Sequence, residues 1–208
     1  MTRAIIATRE RIHHAAFILF CRYGFKRTSM EDIAAEAGLS RAALYLQFRN
    51  KEDIFCDLAR ELNAQSMAQA ERALAEKQPF AERLRTAIEA RMLRLIEVAL
   101  DSPHGTELVD EKNRLCGELW GDSERAFHEL IVRVFKRASR AHEIDLAAAG
   151  LSAAETADLF LRAVSGLKGP GVTTEIYRIR LAALVKVFVA GIGGTVAARI
   201  QFGRSKSS

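Results

Sequence analysis

The hydrophobic residues of this 208-residue chain recur at the spacing of an α-helix along almost its whole length, and no stretch alternates as a β-strand would. Only 3 prolines and 13 glycines interrupt the pattern, and proline is the residue least tolerated inside a helix. Apolar residues make up 49% of the chain, which is enough for a sizeable core. The sequence therefore predicts an all-α fold of about nine helices.

Capping residues and glycine or proline turns divide the chain into helical segments. Thr28 and Glu31 form a capping-box pattern, and Ser40 and Asn50 are good N-caps. A second capping box, Ser152 to Glu155, opens a later helix. The predicted helices lie at about 8–23, 28–37, 41–48, 51–76, 80–100, 105–120, 121–141, 152–167 and 174–198, with a disordered tail at about 203–208.

The positive charge of the chain is concentrated in its first quarter. Residues 1–51 hold nine Lys and Arg against four Asp and Glu, whereas the remainder holds 22 of each sign. A basic module joined to a neutral body indicates an anionic partner for the N-terminal part. The alternative is a chance asymmetry of an ordinary solvated surface.

The segment 28–55 reads as a short helix, a tight glycine turn and a second short helix. Ala34 and Ala37 allow two helices to pack closely, and Gly38 tolerates the positive φ of a tight turn. This is the arrangement of a helix-turn-helix, whose second helix enters the major groove of double-stranded DNA. Similar helical hairpins also occur in proteins that bind no DNA, so the alternative is a ligand-binding or protein-interaction module.

Candidate DNA contacts lie on or beside the second helix of this hairpin, whose Leu44 and Phe48 are expected to face inward. Its basic and polar side chains suit phosphates and base edges, its small residues let it lie close to the bases, and its flanking hydroxyl groups and lysine suit phosphates. The candidates are Thr28, Ser29, Ser40, Arg41, Ala42, Ala43, Tyr45, Gln47 and Lys51.

The stretch from Ile12 to Leu58 resembles the DNA-binding domain of the TetR (tetracycline-repressor-like) family. The similarity is carried by Phe20, Gly24, Thr28, Ile33, Ala34, Ala37, Gly38, Leu39, Ser40, Leu44, Tyr45, Phe48, Lys51 and Phe55. The resemblance implies that Tyr45 and Lys51 contact phosphates. Ala43 and Gln47 depart from the residues usual at their positions, which affects the operator that is read.

The resemblance also implies a helix-turn-helix domain at residues 1–51 and a helical ligand-sensing and dimerisation domain at 52–208. In such proteins the last two long helices commonly pair with those of a second copy. The interface residues expected here are Leu159, Phe160, Val164, Leu181, Leu184, Val185 and Phe188. The alternative is that both helices fill the core of one chain.

Apolar residues of the middle helices are candidates for a pocket that binds a small, apolar effector. They are Met92, Leu95, Ile96, Trp120, Phe127 and Ile131, with core packing as the alternative role for each. No pair of charges in the sequence indicates a defined anion or cation site. By resemblance, an effector that favours one tilt of the fourth helix changes the spacing of the two recognition helices and so releases DNA.

Other classes of protein receive little support from the sequence. The adjacent His13 and His14 point apart on a helix and make a poor metal pair, and no catalytic set, metal site or cofactor motif is expected. Three widely spaced cysteines, Cys21, Cys56 and Cys116, are typical of free thiols in a reducing compartment. With no signal-peptide pattern and no long apolar segment, we expect a cytoplasmic protein that binds no membrane. The family resemblance implies that it is a homodimeric repressor of an inverted-repeat operator.

Overall fold

The computed structural model describes residues 3–169 and 171–194, and the side chains of residues 3–5, 94 and 95 are outside the description. Every regular element in these ranges is helical, which confirms the all-α prediction. The elements are α1 (Arg3–Tyr23), α2 (Met30–Glu36), α3 (Arg41–Tyr45), α4 (Lys51–Ala75), α5 (Phe80–Ile96), a π-helical segment (Glu97–Asp101), α6 (Gly105–Arg140), α7 (Ala153–Ser165) and α8 (Thr174–Gly191). The tail predicted at 203–208 lies outside the described residues.

Most of the predicted helix starts are confirmed by their caps. The hydroxyl of Ser40 accepts a hydrogen bond from the Ala43 amide, and the Asn50 side chain accepts one from Asp53. The Ser152 capping box is present, with both its reciprocal hydrogen bonds. These short polar side chains satisfy amides that have no partner within the helix, which is why the boundaries could be read from sequence.

The capping box predicted at Thr28 is wrong by one residue. Ser29 is the N-cap of α2, and its reciprocal partner is Asp32. Thr28 is buried, and its hydroxyl donates to the carbonyl of Gly24 at 2.7 Å. A tertiary position therefore decides between two adjacent hydroxyl residues that fit the pattern equally well.

The break predicted between helices at 120 and 121 is also wrong. α6 continues to Arg140, and its one residue with non-helical φ and ψ is Cys116 (φ −125°, ψ 20°). The hydroxyl of Ser123 donates to Asn63 Oδ1 at 2.6 Å and accepts from Arg91 at 2.8 Å, so it serves tertiary contacts instead of a helix start. α8 ends earlier than predicted, because Ile192 is its C-cap and Gly193 has a φ of +71°.

Two hydrophobic clusters form the interior. The first joins α1, α2 and α3 with residues of α4 and α6, including Phe55, Leu58 and Leu108. The second contains residues of α4, α5, α6, α7 and α8, among them Phe127, Ile131 and the inward faces of the last two helices. Since α4 belongs to both clusters, the boundary predicted at residue 51 stays a prediction and apolar packing continues across it.

Four residues predicted for a dimer interface lie in the core of the single chain. Phe160, Val164, Leu181 and Val185 are almost completely buried by neighbouring helices of the same chain, so they have no surface left for a second copy. Leu184 and Phe188 are partly buried against the same core. Of the seven predicted residues, Leu159 is exposed, at 52%. The strong hydrophobicity of these helices is therefore explained first by the monomer core.

Candidate nucleic-acid interface

The turn between α2 and α3 is fixed by backbone hydrogen bonds and by one arginine. Gly38 has a φ of +63°, and the amide of Leu39 donates to the Ala34 carbonyl at 2.9 Å, which closes α2 as a Schellman motif. Arg11 of α1 donates to the carbonyls of Ala37 at 2.5 Å and Gly38 at 3.0 Å. The orientation of α3 is thus tied to α1 through side chain and backbone together.

α3 turns one face into the core and leaves the other open. Leu44 is completely buried, and Phe48 just beyond the helix is buried too, as predicted. On the open side Ser40, Arg41, Ala42 and Tyr45 are exposed, while Ala43 and Gln47 are partly exposed. The predicted contact residues of the helix therefore share one accessible surface, which is the geometry a groove-reading helix requires.

Arg41 forms two contacts on this surface. Its guanidinium lies 2.7 Å from the Glu31 carboxylate on α2 and 5.4 Å from the ring centroid of Tyr45. Both charged side chains are well exposed, so the ion pair contributes little to stability. Its effect is to place the negative charge of Glu31 beside Arg41, the residue predicted to contact phosphate or guanine.

Lys51 has a different position from the one its predicted role suggests. Its ammonium donates to the carbonyls of Phe25 at 2.8 Å, Thr28 at 3.0 Å and Lys26 at 3.2 Å. An ammonium has three donors, so this conformation commits all of them to the loop between α1 and α2. Lys51 therefore stabilises the loop that leads into the helix-turn-helix.

Thr28, like Lys51, uses its donor group within the protein. Its one hydroxyl hydrogen is donated to the Gly24 carbonyl. Because a phosphate oxygen accepts hydrogen bonds and donates none, Thr28 has no hydrogen left to offer it. Its neighbour Ser29 is half-buried at the start of α2, and its hydroxyl donates a hydrogen bond to Asp32.

Two residues of this region were not predicted from the sequence: Arg11, which holds the turn, and Leu46, which is 84% exposed directly after α3. An exposed leucine beside a recognition helix has no distinctive sequence signal.

A polar cluster joins α1 to α4. His13 is buried, with Nε2 at 2.9 Å from Asp57 Oδ2 and Nδ1 against the carboxylate of Glu61. Arg9 also pairs with Asp57 and lies over the ring of Phe48, 5.0 Å from its centroid. α4 is therefore bonded to α1, and Arg9 extends this contact to Phe48 at the end of the α3 region.

A cavity of about 840 Å³ lies between the two hydrophobic clusters. Its lining includes Phe17 and Phe20 of α1 and Phe55 of α4, together with residues of α5, α6, α7 and the π-helical segment. Four of the predicted pocket residues, Met92, Ile96, Trp120 and Phe127, line it. Ile131 is part of the core and does not line the cavity, and the side chain of Leu95 lies outside the described residues.

The cavity also carries charge, which the sequence did not indicate. Arg91, Lys112 and Lys168 all line it. Burial lowers the pKa of each of these groups, and the other two cations lower the pKa of Lys112 further, although Glu124 opposes this. Lys112 therefore lies near both Arg91 and Lys168, a proximity that no sequence spacing reveals.

The cavity wall is connected to the helix-turn-helix by direct hydrogen bonds. Val98 to Leu100 of the π-helical segment line the cavity, and the Ser102 hydroxyl after it donates to the Cys21 carbonyl of α1 at 2.8 Å. Glu107 of α6 accepts from the Lys26 amide at 2.8 Å. π-Helical segments are rare and are frequent at functional sites. This one lines the cavity, while Ser102 directly after it is bonded to α1 and Glu107 of α6 is bonded to the loop that Lys51 holds.

The part of the chain that the structure describes contains no group of three or more His, Cys, Asp or Glu residues arranged to hold a metal ion. No helix within the same ranges is long and apolar enough to cross a membrane.

Cys56 and Cys116 are distant in sequence, yet their sulfur atoms lie 2.9 Å apart as free thiols.

Known proteins resemble the N-terminal region in sequence and most of the chain in fold. Residues 12–58 match the family described as "Bacterial regulatory proteins, tetR family". The HTH-type transcriptional regulator AcrR of Shigella flexneri is 39% identical over 51 residues, which are 24% of this chain and 24% of that protein. The regulator YerO of Bacillus subtilis (strain 168) is 35% identical over 74 residues, 34% of this chain and 26% of that protein.

Among solved structures, SmeT, the repressor of the Stenotrophomonas maltophilia multidrug efflux pump SmeDEF, has a TM-score of 0.62 at 24% identity, covering 88% of both chains. The chain thus matches only about a quarter of the length of these two curated relatives, while the structural likeness extends over most of the fold. Residues 12–58 therefore match the family of tetR bacterial regulatory proteins, and they include the helix-turn-helix formed by α2 and α3.

Proposed function

We propose that this protein is a transcriptional repressor that binds an inverted-repeat DNA operator as a homodimer and is released by a small-molecule effector. The observation that carries the proposal is the open face of α3, where Arg41, Ala42 and Tyr45 are exposed on a helix anchored by Leu44 and Ser40. Repression is the mode stated for SmeT, and the shared fold supports the same mode here.

DNA recognition divides between groups that read bases and groups that meet phosphates. Arg41, at the start of α3, is suited to guanine edges, and Gln47 to adenine. Ser40 and Tyr45 are suited to phosphates, whereas the hydroxyl and the amide of Ser29 both donate to Asp32. Ala42 and Ala43 allow close approach. Lys51 and Thr28 act in this proposal by shaping the interface, because their donor groups are used inside the protein.

A dimer is proposed because a helix-turn-helix usually reads two half-sites about 34–36 Å apart. The outer face of α8 supports it: Ile176, Ile179, Ala183, Val187 and Ala190 are exposed and recur every three or four residues. Such spacing places them on one side of the helix. This surface replaces the buried residues that hydrophobicity suggested, and Leu159 of α7 is the predicted residue that remains exposed.

Effector control is proposed to act through the cavity. A ligand there touches α1, α4 and the π-helical segment at once. α4 is bonded to α1 through His13 and Glu61, and Ser102, directly after the π-helical segment, is bonded to Cys21 of α1. A ligand that binds one arrangement of these helices better lowers the affinity for DNA by the same coupling free energy. The effector therefore needs no contact with DNA.

The test is selection of bound sequences from randomised duplex DNA by the purified chain. The proposal expects an enriched inverted repeat, together with a steep fall in affinity as salt rises. The double variant Arg41→Gln with Tyr45→Phe is expected to lose the enrichment. Arg125→Gln is the matched control, since Arg125 is an exposed, ion-paired arginine on α6. Lys51→Ala is avoided because it removes the bonds that hold the loop.

Other outcomes select between functions. Failure to enrich any sequence at low salt contradicts the proposal and favours a helical protein-interaction or ligand-binding module. Enrichment of a single, unrepeated half-site contradicts the dimer alone. Enrichment that survives the double variant means that another surface reads DNA.

A further inference from the structure

Arg91 is a buried cation that forms no direct ion pair with a carboxylate in the described part of the chain. Its side chain lies on α5, and the residue is only 3% exposed. The guanidinium donates to the hydroxyls of Ser66 at 2.9 Å and Ser123 at 2.8 Å, which are neutral acceptors. Elsewhere on α5, Arg85 is bonded to two carboxylates, those of Glu82 and Glu89. Burying a charge that is only partly compensated is costly, so such a group is a candidate for binding a ligand of opposite charge.

A second cation and an aromatic ring complete the polar end of the cavity. Trp120 has the guanidinium of Arg91 at 5.5 Å and the ammonium of Lys112 at 4.0 Å from its ring centroid. Arg91 also lies 5.5 Å from the ring centroid of Phe127. These contacts place both cations beside one indole in the cavity lining.

The acidic residues of the cavity do not neutralise this cluster. Asp158 is hydrogen-bonded to Arg162 at 2.8 Å, so these two lining charges offset one another. Glu124 then remains against Arg91, Lys112 and Lys168. Glu124 is exposed, and none of the three cations lies within 4.0 Å of a carboxylate in the described region. The lining therefore retains a positive excess.

The rest of the cavity is apolar. Phe17, Phe20, Leu58, Met92 and Val98 are among its lining residues, and they extend towards α1 and the π-helical segment. A volume of about 840 Å³ lies within the range usual for small-molecule sites. The site thus combines a cationic end with a long apolar wall.

We propose that the effector is an amphipathic organic acid, whose carboxylate meets Arg91 and Lys112 while its apolar body lies along α1 and the π-helical segment. The inference rests on the proposed function, and it replaces the purely apolar effector that the sequence suggested. A guanidinium binds a carboxylate through two parallel hydrogen bonds, which gives both affinity and orientation. The apolar body then contacts the elements that lead to the helix-turn-helix.

Binding can be measured without DNA, because Trp120 is the chain's only tryptophan and lines the cavity. The full chain is titrated with decanoate, 2-naphthoate, decanol and decyltrimethylammonium while tryptophan fluorescence is followed. At least one of the two carboxylates is expected to bind at least tenfold more tightly than decanol and the cation, and the pair distinguishes an aliphatic from an aromatic body. Equal or tighter binding of decanol or decyltrimethylammonium overturns the inference.

Two variants and a control locate the anion. Arg91→Met and Lys112→Met are each expected to weaken the preferred carboxylate at least tenfold and to leave decanol unchanged. Arg85→Met is the matched control, because Arg85 is on the same helix and outside the cavity lining. Lys112 is only partly buried, so its variant tests the site even where Arg91→Met fails to fold. Unchanged carboxylate affinity in a folded variant overturns the assignment of that residue.

A parallel titration of the selected DNA complex separates the two proposals. A carboxylate that binds through Arg91 and leaves DNA affinity unchanged contradicts effector control but supports the ligand class. Release of DNA by decanol and not by either carboxylate supports effector control and overturns the ligand class.

Discussion

Gly38 illustrates how one residue's backbone fixes the geometry of the DNA-binding surface. At a φ of +63°, any residue with a Cβ is strained. An added Cβ would also lie 2.9 Å from Nη2 of Arg11, the atom that holds the turn. The conformation and the arginine contact are therefore two separate requirements at a single position.

The variant Gly38→Ala is expected to lower the free energy of unfolding by about 1–2 kcal/mol for the left-handed backbone, with a further loss from the displaced arginine. Gly150→Ala is the matched control, since Gly150 has a φ of +65° and nothing within 4 Å of an added Cβ. Denaturant unfolding followed by circular dichroism measures both. Equal losses in the two variants would show that Arg11 adds nothing at this turn.

Tyr177 carries a buried hydroxyl with no hydrogen-bond partner among the described residues. Leaving such a group unsatisfied costs about 1–3 kcal/mol. Tyr177→Phe is therefore expected to raise the free energy of unfolding by about 1 kcal/mol, as measured by urea denaturation at neutral pH. A loss of stability instead would mean that the hydroxyl has a bound partner in solution.

The same residue predicts a dependence on alkaline pH. Burial, followed by the negative charge of Glu89, raises the pKa of Tyr177 from 10.0 to about 12. Above pH 10 the unfolded chain loses this proton while the folded chain keeps it, so stability falls between pH 10 and 12. Tyr177→Phe should show a shallower fall. Cys116, whose pKa burial raises to about 12, contributes a fall in both proteins and serves as the internal reference.

At the scale of elements, the start of α4 holds the loop that enters the helix-turn-helix. Lys51 spans from this helix to three carbonyls between Phe25 and Thr28, and its ammonium lies 4.6 Å from the Phe25 ring centroid. α4 also continues into the second core, and its Asp57 and Glu61 meet α1. α4 thus contacts both the cavity, through its lining residues, and the loop that leads into the helix-turn-helix, through Lys51.

Lys51→Met is expected to cost about 2 kcal/mol of stability, because hydrogen bonds to a charged group are lost while the apolar stem is kept. Lys77→Met is the matched control at an exposed lysine and should change stability by less than about 0.5 kcal/mol. Thermal unfolding of both variants provides the comparison. An unchanged stability in Lys51→Met would restore Lys51 as a group available for phosphate.

At the scale of the whole molecule, the outer face of α8 is the proposed dimer surface. Ile179 is 47% and Val187 72% exposed. The double variant Ile179→Glu with Val187→Glu is expected to weaken dimerisation by at least about 100-fold, since two apolar contacts are lost and two charges are introduced. Sedimentation velocity measures the change. Leu46→Glu, at an exposed leucine beside α3, should leave the dimer intact, and persistence of the dimer in the double variant would exclude this face.

Local signals in the sequence determined the helical class, most of the helix starts and the candidate recognition helix. Ser40, Asn50 and Ser152 cap helices as predicted because a cap is a contact between residues only three apart. Leu44 and Phe48 are buried as predicted, because helical periodicity alone assigns them to the inner face.

The tertiary structure decided what depends on residues far apart in the chain. It assigned the donors of Thr28 and Lys51 to backbone carbonyls, and it assigned Ser123 to a contact with Asn63. It buried Phe160 and Val164 within one chain and brought Arg91 and Lys112 to one indole. Hydrophobicity indicates that a side chain is covered, but only the packing of whole helices determines what covers it. In the same way, a charge acquires its partner only when the fold brings distant residues together.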